Sequence, residues 1–365
     1  MLISISILAL LPFVQTFLGK IATSKLNETL GTNLSIEKVY VSVFGDVDIK
    51  GLYIEDHHQD TLLYVRKLRT NLLSIKEISN SRVFLGPAEL SNFTFKVKKY
   101  KGEDYTNLDD FISKVDDGKP GTGKFRLKSP NMKAFGSKFQ FIDENKANPL
   151  ILDFTDLNGD LDNFYIKGPE VTTNIKKLNF SDSRGLTVKH LSGNFLYNKT
   201  NLYIKDLDLK TPLSTIEGDI ELIYKPKYFQ DFTNKVRIEA DIQRSRLAAD
   251  DLNILFNEFE AGQYFYLQTK LQGTLNNFTL FNLSAYHTSD TDILGKIQFQ
   301  NIFHPTKLFR MNGKFAKIQT SYKKAQHILP HILGEKLPVE LDRLGDVLII
   351  GQIDMTKKDL SLIHI

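Results

Sequence analysis

Apolar and polar residues alternate with a period of two through most of residues 33–365, and this pattern constrains the fold more than any other feature. Val, Ile, Leu, Phe, Thr and Tyr fill the alternating segments, while Gly, Asn and Asp separate them. Such alternation is typical of antiparallel strands with one apolar and one polar face. Because it persists over nearly the whole chain, we expect an elongated, mainly β protein built from a repeated strand unit.

One unit of this alternation recurs: two apolar residues at alternate positions, two polar or small residues, and two more apolar residues at alternate positions. Complete copies are Val47, Ile49, Leu52 and Ile54, and Leu202, Ile204, Leu207 and Leu209. Partial copies include Phe93 and Phe95, then Leu152, Phe154 and Leu157, and then Ile297 and Phe299. Two polar residues in succession break the alternation, and a β-bulge restores the facing while bending the strand. The repeat therefore predicts a curled antiparallel sheet whose groove is lined by these apolar side chains.

Glycines and short helical patterns interrupt the strands. Gly218, Gly273 and Gly351 each stand between short alternating segments, which indicates turns or bulges. Helical patterns occupy 106–117, 247–259 and 319–344, and Thr106 with Asp109 resembles a capping box. The expected organisation is an anchor and following helix (1–31), a first groove segment (32–117), further groove repeats (118–318), a helical insertion (319–345) and a last repeat (346–365).

The N-terminal segment 2–18, LISISILALLPFVQTFL, carries no charge. As a helix it would span roughly 25 Å, slightly less than the ~30 Å hydrocarbon core of a bilayer. No basic residue precedes it and no small-residue cleavage site follows it, so an uncleaved anchor fits better than a signal peptide. A buried helix of a soluble protein is the alternative. The predicted anchor residues are Leu2, Ile3, Ile5, Ile7, Leu8, Leu10, Leu11, Phe13, Val14, Phe17 and Leu18. The missing basic start, and an ending (LSLIHI) in mid-pattern, are interpreted as marks of a longer protein.

Residue chemistry gives little support for catalysis. The chain has no cysteine, which excludes disulfides and thiolate sites, and its net charge of +4 comes without a basic block for nucleic acid. His57 and His58 lie in the polar run EDHHQD, where neighbouring strand residues would point to opposite faces, so a turn is favoured over a metal site. The acidic run Asp153, Asp156, Asp160 and Asp162 lacks EF-hand spacing. We therefore expect no enzyme activity, metal or cofactor.

Several stretches resemble one known family. They are QTFLGKIATSKLNETLGTNLSIEKVYVSVFGDVDIKGLYIEDHHQDTLLYVRKL, YTNLDDFISKVDDGKP, FQFIDEN, FSDSRG and ILPHILGEKLPVELDRLG. In order and number they resemble the N-terminal part of TamB-type proteins of the AsmA-like superfamily, in the form found in Bacteroidota. That resemblance covers nearly the whole chain and implies a β-taco fold, a single-pass inner-membrane anchor and a β-region in the periplasm. The family's C-terminal domain, which engages the outer-membrane assembly machinery, is not visible in this sequence.

Two functions follow as hypotheses. The resemblance implies a bridge protein of outer-membrane biogenesis that conducts phospholipids along an apolar groove, with an outer-membrane assembly protein as partner. An open apolar face beside a membrane agrees with acyl chains as cargo. The alternative is a translocation and assembly factor that binds outer-membrane protein clients by β-strand addition. A third possibility is a periplasmic partner that binds the helical region 319–344.

Overall fold

The computed structural model describes residues 16, 19–20, 23–28, 31–42, 45–71, 73–74, 77, 80–115, 125–225, 228, 231–254, 259–288, 291–304, 306–328, 330, 339–356 and 360–363. This part of the chain is mainly β-strand with a few short helices. It divides into two compact units, Met1–Lys199 and Thr200–Ile365. The alternating pattern thus correctly predicts a mainly β protein with a few short helices.

The first unit is one mixed sheet. Its strands are β1 (Asn33–Val41), β2 (Asp46–Glu55), β3 (Thr61–Asn71), β4 (Arg82–Phe84), β5 (Ala88–Lys99), β6 (Arg126–Asp143), β7 (Leu150–Lys167), β8 (Glu170–Asp182) and β9 (Thr187–Tyr197). Their order is β1-β2-β3-β5-β6-β7-β8-β9, with the short β4 beside the start of β6.

The prediction of a wholly antiparallel sheet is wrong at one place. Strand β6 runs parallel to both β4 and β5, while the other neighbours in this unit are antiparallel. The chain between Lys99 and Arg126 contains helix α1 (Asn107–Val115), and a crossover of this length permits parallel pairing. The predicted capping box is present, because the Thr106 backbone N–H donates to Asp109 Oδ2 at 2.8 Å and the Asp109 N–H donates to Thr106 Oγ1 at 3.1 Å.

The second unit is an antiparallel sheet in chain order. Its strands are β10 (Asn201–Lys210), β11 (Thr215–Ile223), β12 (Arg237–Ala248), β13 (Tyr264–Gly273), β14 (Asn277–His287), β15 (Thr291–Gln300), β16 (Arg310–Ser321), β17 (Asp346–Thr356) and β18 (Leu360–Ile363). Its helices are α2 (Phe232–Lys235), α3 (Ala249–Asn253), α4 (Tyr322–Ile328) and a 3₁₀ helix (Val339–Leu344).

Two helical predictions need correction. The pattern over 247–259 begins inside β12, and its described helix is only α3, from Ala249 to Asn253. Strand β16 extends to Ser321, so the region predicted as helical from 319 starts with strand, and α4 follows it. Apolar residues spaced for a helix also satisfy a short strand, which is why these starts were misplaced.

The repeated two-residue interruption has a defined backbone conformation. Its second residue lies in the left-handed region at Gly51 (φ 63°), Asp156 (φ 51°) and Asp206 (φ 54°). The register between β10 and β11 shifts between Ile204 and Leu207, on either side of Asp206. A second shift, between Thr155 and Asn158, lies beside Asp156. Bulges are therefore present at Asp156 and Asp206, whereas at Gly51 the register with both neighbouring strands continues without a shift.

Gly218 illustrates the predicted bulge glycines. Its φ is +148°, and a Cβ there would lie 2.1 Å from the backbone oxygen of Asp241 on the neighbouring strand. We expect Gly218→Ala to lower the free energy of unfolding by about 2–3 kcal/mol, from backbone strain plus displacement of β12. Gly262→Ala is the control, since its φ is +76° but no atom lies within 4 Å of the added Cβ. That change should cost ~1 kcal/mol in urea unfolding, and equal losses for both variants would contradict the close approach.

Within the described residues, no helix has the length and apolar composition needed to cross a membrane. The predicted anchor residues Leu2, Ile3, Ile5, Ile7, Leu8, Leu10, Leu11, Phe13, Val14, Phe17 and Leu18 all lie outside that described part. Helical residues 23–28 precede β1 and are joined to it by one side chain. The Asn27 side-chain amide accepts from the Leu34 N–H and donates to the Leu34 carbonyl, both at 2.7 Å.

Candidate functional site: an apolar face across the strands

Strand register in the first unit aligns apolar side chains from strand to strand. Ile54 lies opposite Leu63, Leu63 opposite Phe95, and Phe95 opposite Phe139. Phe139 in turn lies opposite Phe154 on β7. Residues that face each other across paired strands project from the same side of the sheet. These side chains therefore form one continuous apolar row across β2, β3, β5, β6 and β7.

The aromatic part of this row is a set of touching rings, here called the phenylalanine row: Phe95, Phe139, Phe154 and Phe180. The ring centroids are 5.7 Å apart for the first two pairs and 4.4 Å apart for the last, which is stacked. Aromatic pairs at such separations attract by about 0.5–1.5 kcal/mol beyond their area burial. All four side chains are half-buried, so each ring keeps a surface that another apolar group can cover.

Further rows run beside the first one. Ile49 lies opposite Val39 and Leu68, and Leu68 lies opposite Leu90. The predicted residues of the first unit take these places: Val47 opposite Val41, Leu52 opposite Ile36 and Val65, Phe93 opposite Val65, Leu152 opposite Phe141, and Leu157 opposite Ser137. All of them share the face that carries the phenylalanine row.

The second unit repeats this arrangement. The row that starts at Leu202 continues through Leu222, Ile238, Gly273, Phe278 and Phe299 to Met311 and Met355. The row that starts at Ile204 continues through Ile220, Ala240, Leu271 and Leu280 to Ile297, Gly313 and Ile353. Leu207 lies opposite Gly218, and Leu209 lies opposite Ile216. Leu202 and Phe299 therefore belong to one row and Ile204 and Ile297 to the other, whereas Leu207 and Leu209 pair with β11 outside these two rows.

Burial along the apolar face is uneven. Val65, with none of its surface exposed, packs with Leu68, Leu85 and Ala88 in the first unit. Leu283, Ile297, Phe315 and Ile318 form the corresponding cluster of the second unit. Most other members of the rows are half-buried. The face thus has local cores for stability and, between them, apolar surface that is incompletely covered.

Other layers contribute little cover. Among the described elements, each strand makes its main contacts with its neighbours in the sheet. Helices α1 and α3 contact β5 and β12, and α4 contacts the 3₁₀ helix and β16. Most side chains of the rows stay half-buried in this part of the chain. An apolar sheet face of this extent without a full covering layer is typical of a surface that binds an apolar ligand or partner.

The opposite face carries charge. Lys67 lies 3.0 Å from Asp48, Lys138 lies 3.1 Å from Asp153, and Lys317 lies 2.6 Å from Asp292, nitrogen to oxygen. Partly exposed pairs of this kind contribute about 0–1 kcal/mol each. Their main effect is to keep one side of the sheet hydrated, which makes the two faces chemically distinct.

Sequence reasoning missed part of the face. Phe139 completes the phenylalanine row but is absent from the predicted lining. Strand β6 does not match the repeat, because small and polar residues (Ala134 and Ser137) stand where the template has large apolar ones. The alternation Phe139-Gln140-Phe141 was the available signal.

The acidic and histidine motifs have different outcomes. Asp160 and Asp162 both accept from the Asn131 amide, at 2.7 and 2.9 Å, and the described acidic run forms no cluster of converging ligands. EDHHQD does form a turn between β2 and β3, as predicted. Its two imidazoles do not diverge, however, because residues 57–60 lack strand geometry, and both reach Glu103.

Comparison with known protein families, curated proteins and solved structures finds no match to this chain. The resemblance to TamB-type proteins therefore stays a prediction based on the sequence.

Proposed function

We propose that this protein is a non-enzymatic lipid conduit that carries the acyl chains of phospholipids along the apolar face of its sheet. The observation that supports this best is the phenylalanine row and its continuation to Leu63 and Ile54. From β2 to β7 the side chains that pair along it are all apolar. On β8 the Phe180 ring stacks on Phe154, while the register partner of Phe154 is Asp182.

The dimensions of the row suit an acyl chain. Strands lie about 4.8 Å apart, so the five gaps from β2 to β8 span about 24 Å. One leaflet contributes about half of the ~30 Å hydrocarbon core, or about 15 Å of acyl chain. A single row is therefore longer than one acyl layer, and neighbouring rows offer the same apolar surface for the next position along the sheet.

In this proposal the cargo route lies between two membranes. Segment 2–18 tethers the chain to the inner membrane, the β-region extends through the periplasm, and an outer-membrane assembly protein is engaged through a further C-terminal region. The uncharged segment and the amphipathic sheet support this arrangement, because they provide both a membrane contact and an apolar path away from it.

Photo-crosslinking from two phenylalanine positions of one strand tests the proposal. Phe139 belongs to the apolar face, whereas Phe135, opposite Ser91 on β5, lies on the other face and is 45% exposed. A photoreactive phenylalanine analogue at 139 should capture phospholipid in cells, and the same analogue at 135 should not. Position 135 is exposed, so lipid that bound without specificity would be captured by the analogue at 135 as readily as at 139. Polypeptide adducts at 139 without lipid would support strand addition to protein clients instead.

A charge on the apolar face should reduce the lipid content of the purified protein. A carboxylate at position 139 must be desolvated wherever an acyl chain covers it, which is costly without a partner. We expect Phe139→Glu to retain at least about tenfold less phospholipid than the wild type, which corresponds to ~1.4 kcal/mol. Mass spectrometry of extracted lipids measures this, with circular dichroism to check folding. Phe135→Glu is the matched control, and equal lipid loss in both variants would count against the assigned face.

A further inference from the structure

A cluster of ligand side chains lies apart from the apolar rows, where the β2–β3 turn meets the chain that follows β5. His57 Nε2 is 3.0 Å from Glu103 Oε2, and His58 Nε2 is 2.6 Å from Glu103 Oε1. One ligand atom from each of the three residues lies within 4.8 Å of the others. We call His57, His58 and Glu103 the hairpin cluster.

Aromatic rings hold the two imidazoles in place. The Tyr100 ring lies 3.9 Å from the His58 ring, and the Tyr105 ring lies 5.4 Å from the His57 ring, centroid to centroid. The two imidazole rings are themselves 4.5 Å apart. Packing of this kind restricts ring rotation, so both Nε2 atoms stay directed at the same carboxylate.

The second nitrogen of His57 also has a suitable neighbour. Its Nδ1 is buried without a hydrogen-bond partner among the described residues, and Asp110 Oδ2 lies 3.9 Å from it. Asp110 is held by Lys114 at 2.8 Å, nitrogen to oxygen. A histidine that binds a metal through Nε2 commonly donates its Nδ1–H to a carboxylate, which fixes the tautomer and the ring orientation. A shift of less than about 1 Å would make this contact a hydrogen bond.

We propose that the hairpin cluster binds a divalent transition metal ion, with Zn²⁺ as the preferred ion. Two imidazoles and one carboxylate form a ligand set that suits zinc and leaves a fourth position for water. With zinc bonds of about 2.0–2.2 Å, tetrahedral ligand atoms stand about 3.3 Å apart. The three ligand atoms here lie within 4.8 Å of one another, so binding requires these side chains to close by up to about 1.5 Å. The ion joins the β2–β3 turn to the chain between β5 and α1, 45 residues further along for His58 and Glu103.

Titration of the untagged, chelator-treated protein with ZnCl₂ tests this site. Calorimetry should show one site with micromolar or tighter affinity, and the melting temperature should rise with zinc concentration. MgCl₂ should produce neither effect, because magnesium prefers oxygen ligands. Cobalt substitution should give the visible absorption bands of a four-coordinate site. Absence of zinc binding at 1 mM, on the order of a thousand times the expected dissociation constant, would overturn the proposal.

Variants assign the ligands. Glu103→Gln and His58→Ala should each weaken zinc binding at least about tenfold, and Asp110→Asn should weaken it about tenfold without changing the stoichiometry. Glu89→Gln is the matched control, since Glu89 is an exposed carboxylate of β5. His190→Ala, in β9, serves as the histidine control. Zinc affinity unchanged in Glu103→Gln, with wild-type melting in the absence of metal, would show that the ion binds elsewhere.

Discussion

Replacing Asp56 with alanine is expected to lower the unfolding free energy of the first unit by about 3–5 kcal/mol. The Asp56 carboxylate is buried and accepts hydrogen bonds from Tyr100 Oη at 2.7 Å and from Asn107 Nδ2 at 2.9 Å. It also accepts from the backbone N–H groups of His58 and Asp60, at 2.9 and 3.0 Å. Alanine leaves these four donors without their acceptor. Water can reach the two partly buried backbone N–H groups, whereas each of the two buried side-chain donors left unsatisfied costs about 1–3 kcal/mol.

The effect is large because Asp56 connects three segments. It lies in the β2–β3 turn, Tyr100 follows β5, and Asn107 begins α1. Asn107 is fully buried and also donates to the Lys96 carbonyl at 3.0 Å while its Oδ1 accepts from the Lys98 N–H at 2.8 Å. Loss of the carboxylate therefore loosens both the turn and the start of the crossover, which together carry the hairpin cluster.

Urea unfolding of wild type and Asp56→Ala measures the loss. Glu89→Ala is the control, because Glu89 is an exposed acidic residue of β5 and such surface changes usually stay within about 0.5 kcal/mol. A loss below about 1 kcal/mol for Asp56→Ala would mean that water replaces the four hydrogen bonds without penalty.

The pH dependence gives an independent readout of Asp56. Burial by itself raises the pKa of this carboxyl, but the hydrogen bonds from Tyr100, Asn107 and the backbone N–H groups of Asp60 and His58 hold the pKa below its ordinary value of 3.8. A lowered native pKa stabilises the fold above the unfolded pKa, and this stability is lost as the pH falls through the native pKa. The stability difference between wild type and Asp56→Ala should therefore be constant above about pH 5 and shrink below pH 4.

Local features of the fold follow from sequence, because they depend on neighbouring residues. Alternation predicts strands, and the slip at Lys205-Asp206 predicts a bulge, which needs only the left-handed φ of one residue. The capping box of Thr106 and Asp109 is local for the same reason. These features could be predicted without knowing which strands pair.

Pairings between distant residues could not be predicted in this way. The parallel pairing of β5 with β6 depends on the path of a crossover, which the alternation of either strand does not encode. The same is true of the contacts of Asp56 with Asn107 and of His58 with Glu103, which join residues 51 and 45 positions apart. Part of the candidate apolar face was accessible from sequence, whereas the hairpin cluster was not.

Replacing Phe315 with alanine should have an effect of similar size in the second unit. The side chain is 5% exposed and packs with Leu283, Ile297 and Ile318. Burial of this kind makes Phe→Ala changes cost about 3–5 kcal/mol, from lost transfer energy plus the cavity that remains. We expect a loss of about 4 kcal/mol in urea unfolding.

Three glycines surround the Phe315 ring. Because a glycine has no side chain that could move into the cavity left by Phe315→Ala, we expect the full loss of unfolding free energy. On the neighbouring strands, Phe315 lies opposite Gly295 and Gly351. On its own strand its ring covers Gly313, where a Cβ would lie 2.2 Å from Phe315 Cε2. Relaxation of surrounding side chains is the usual way in which a core reduces the cost of a cavity, and three glycines cannot contribute to it.

Two comparisons separate this cavity effect from a general sensitivity to losing a phenyl ring. Phe303→Ala removes a ring that is 48% exposed and should cost less than about 1.5 kcal/mol. Phe315→Leu refills much of the space and should recover at least half of the loss. If Phe315→Ala lowered the unfolding free energy no more than Phe303→Ala, the idea that the glycines leave an unfilled cavity would be wrong. Other contacts would then have to hold the apolar rows through Ile297 and Phe299 in place, since Phe315 is the largest buried side chain of the cluster that packs with them.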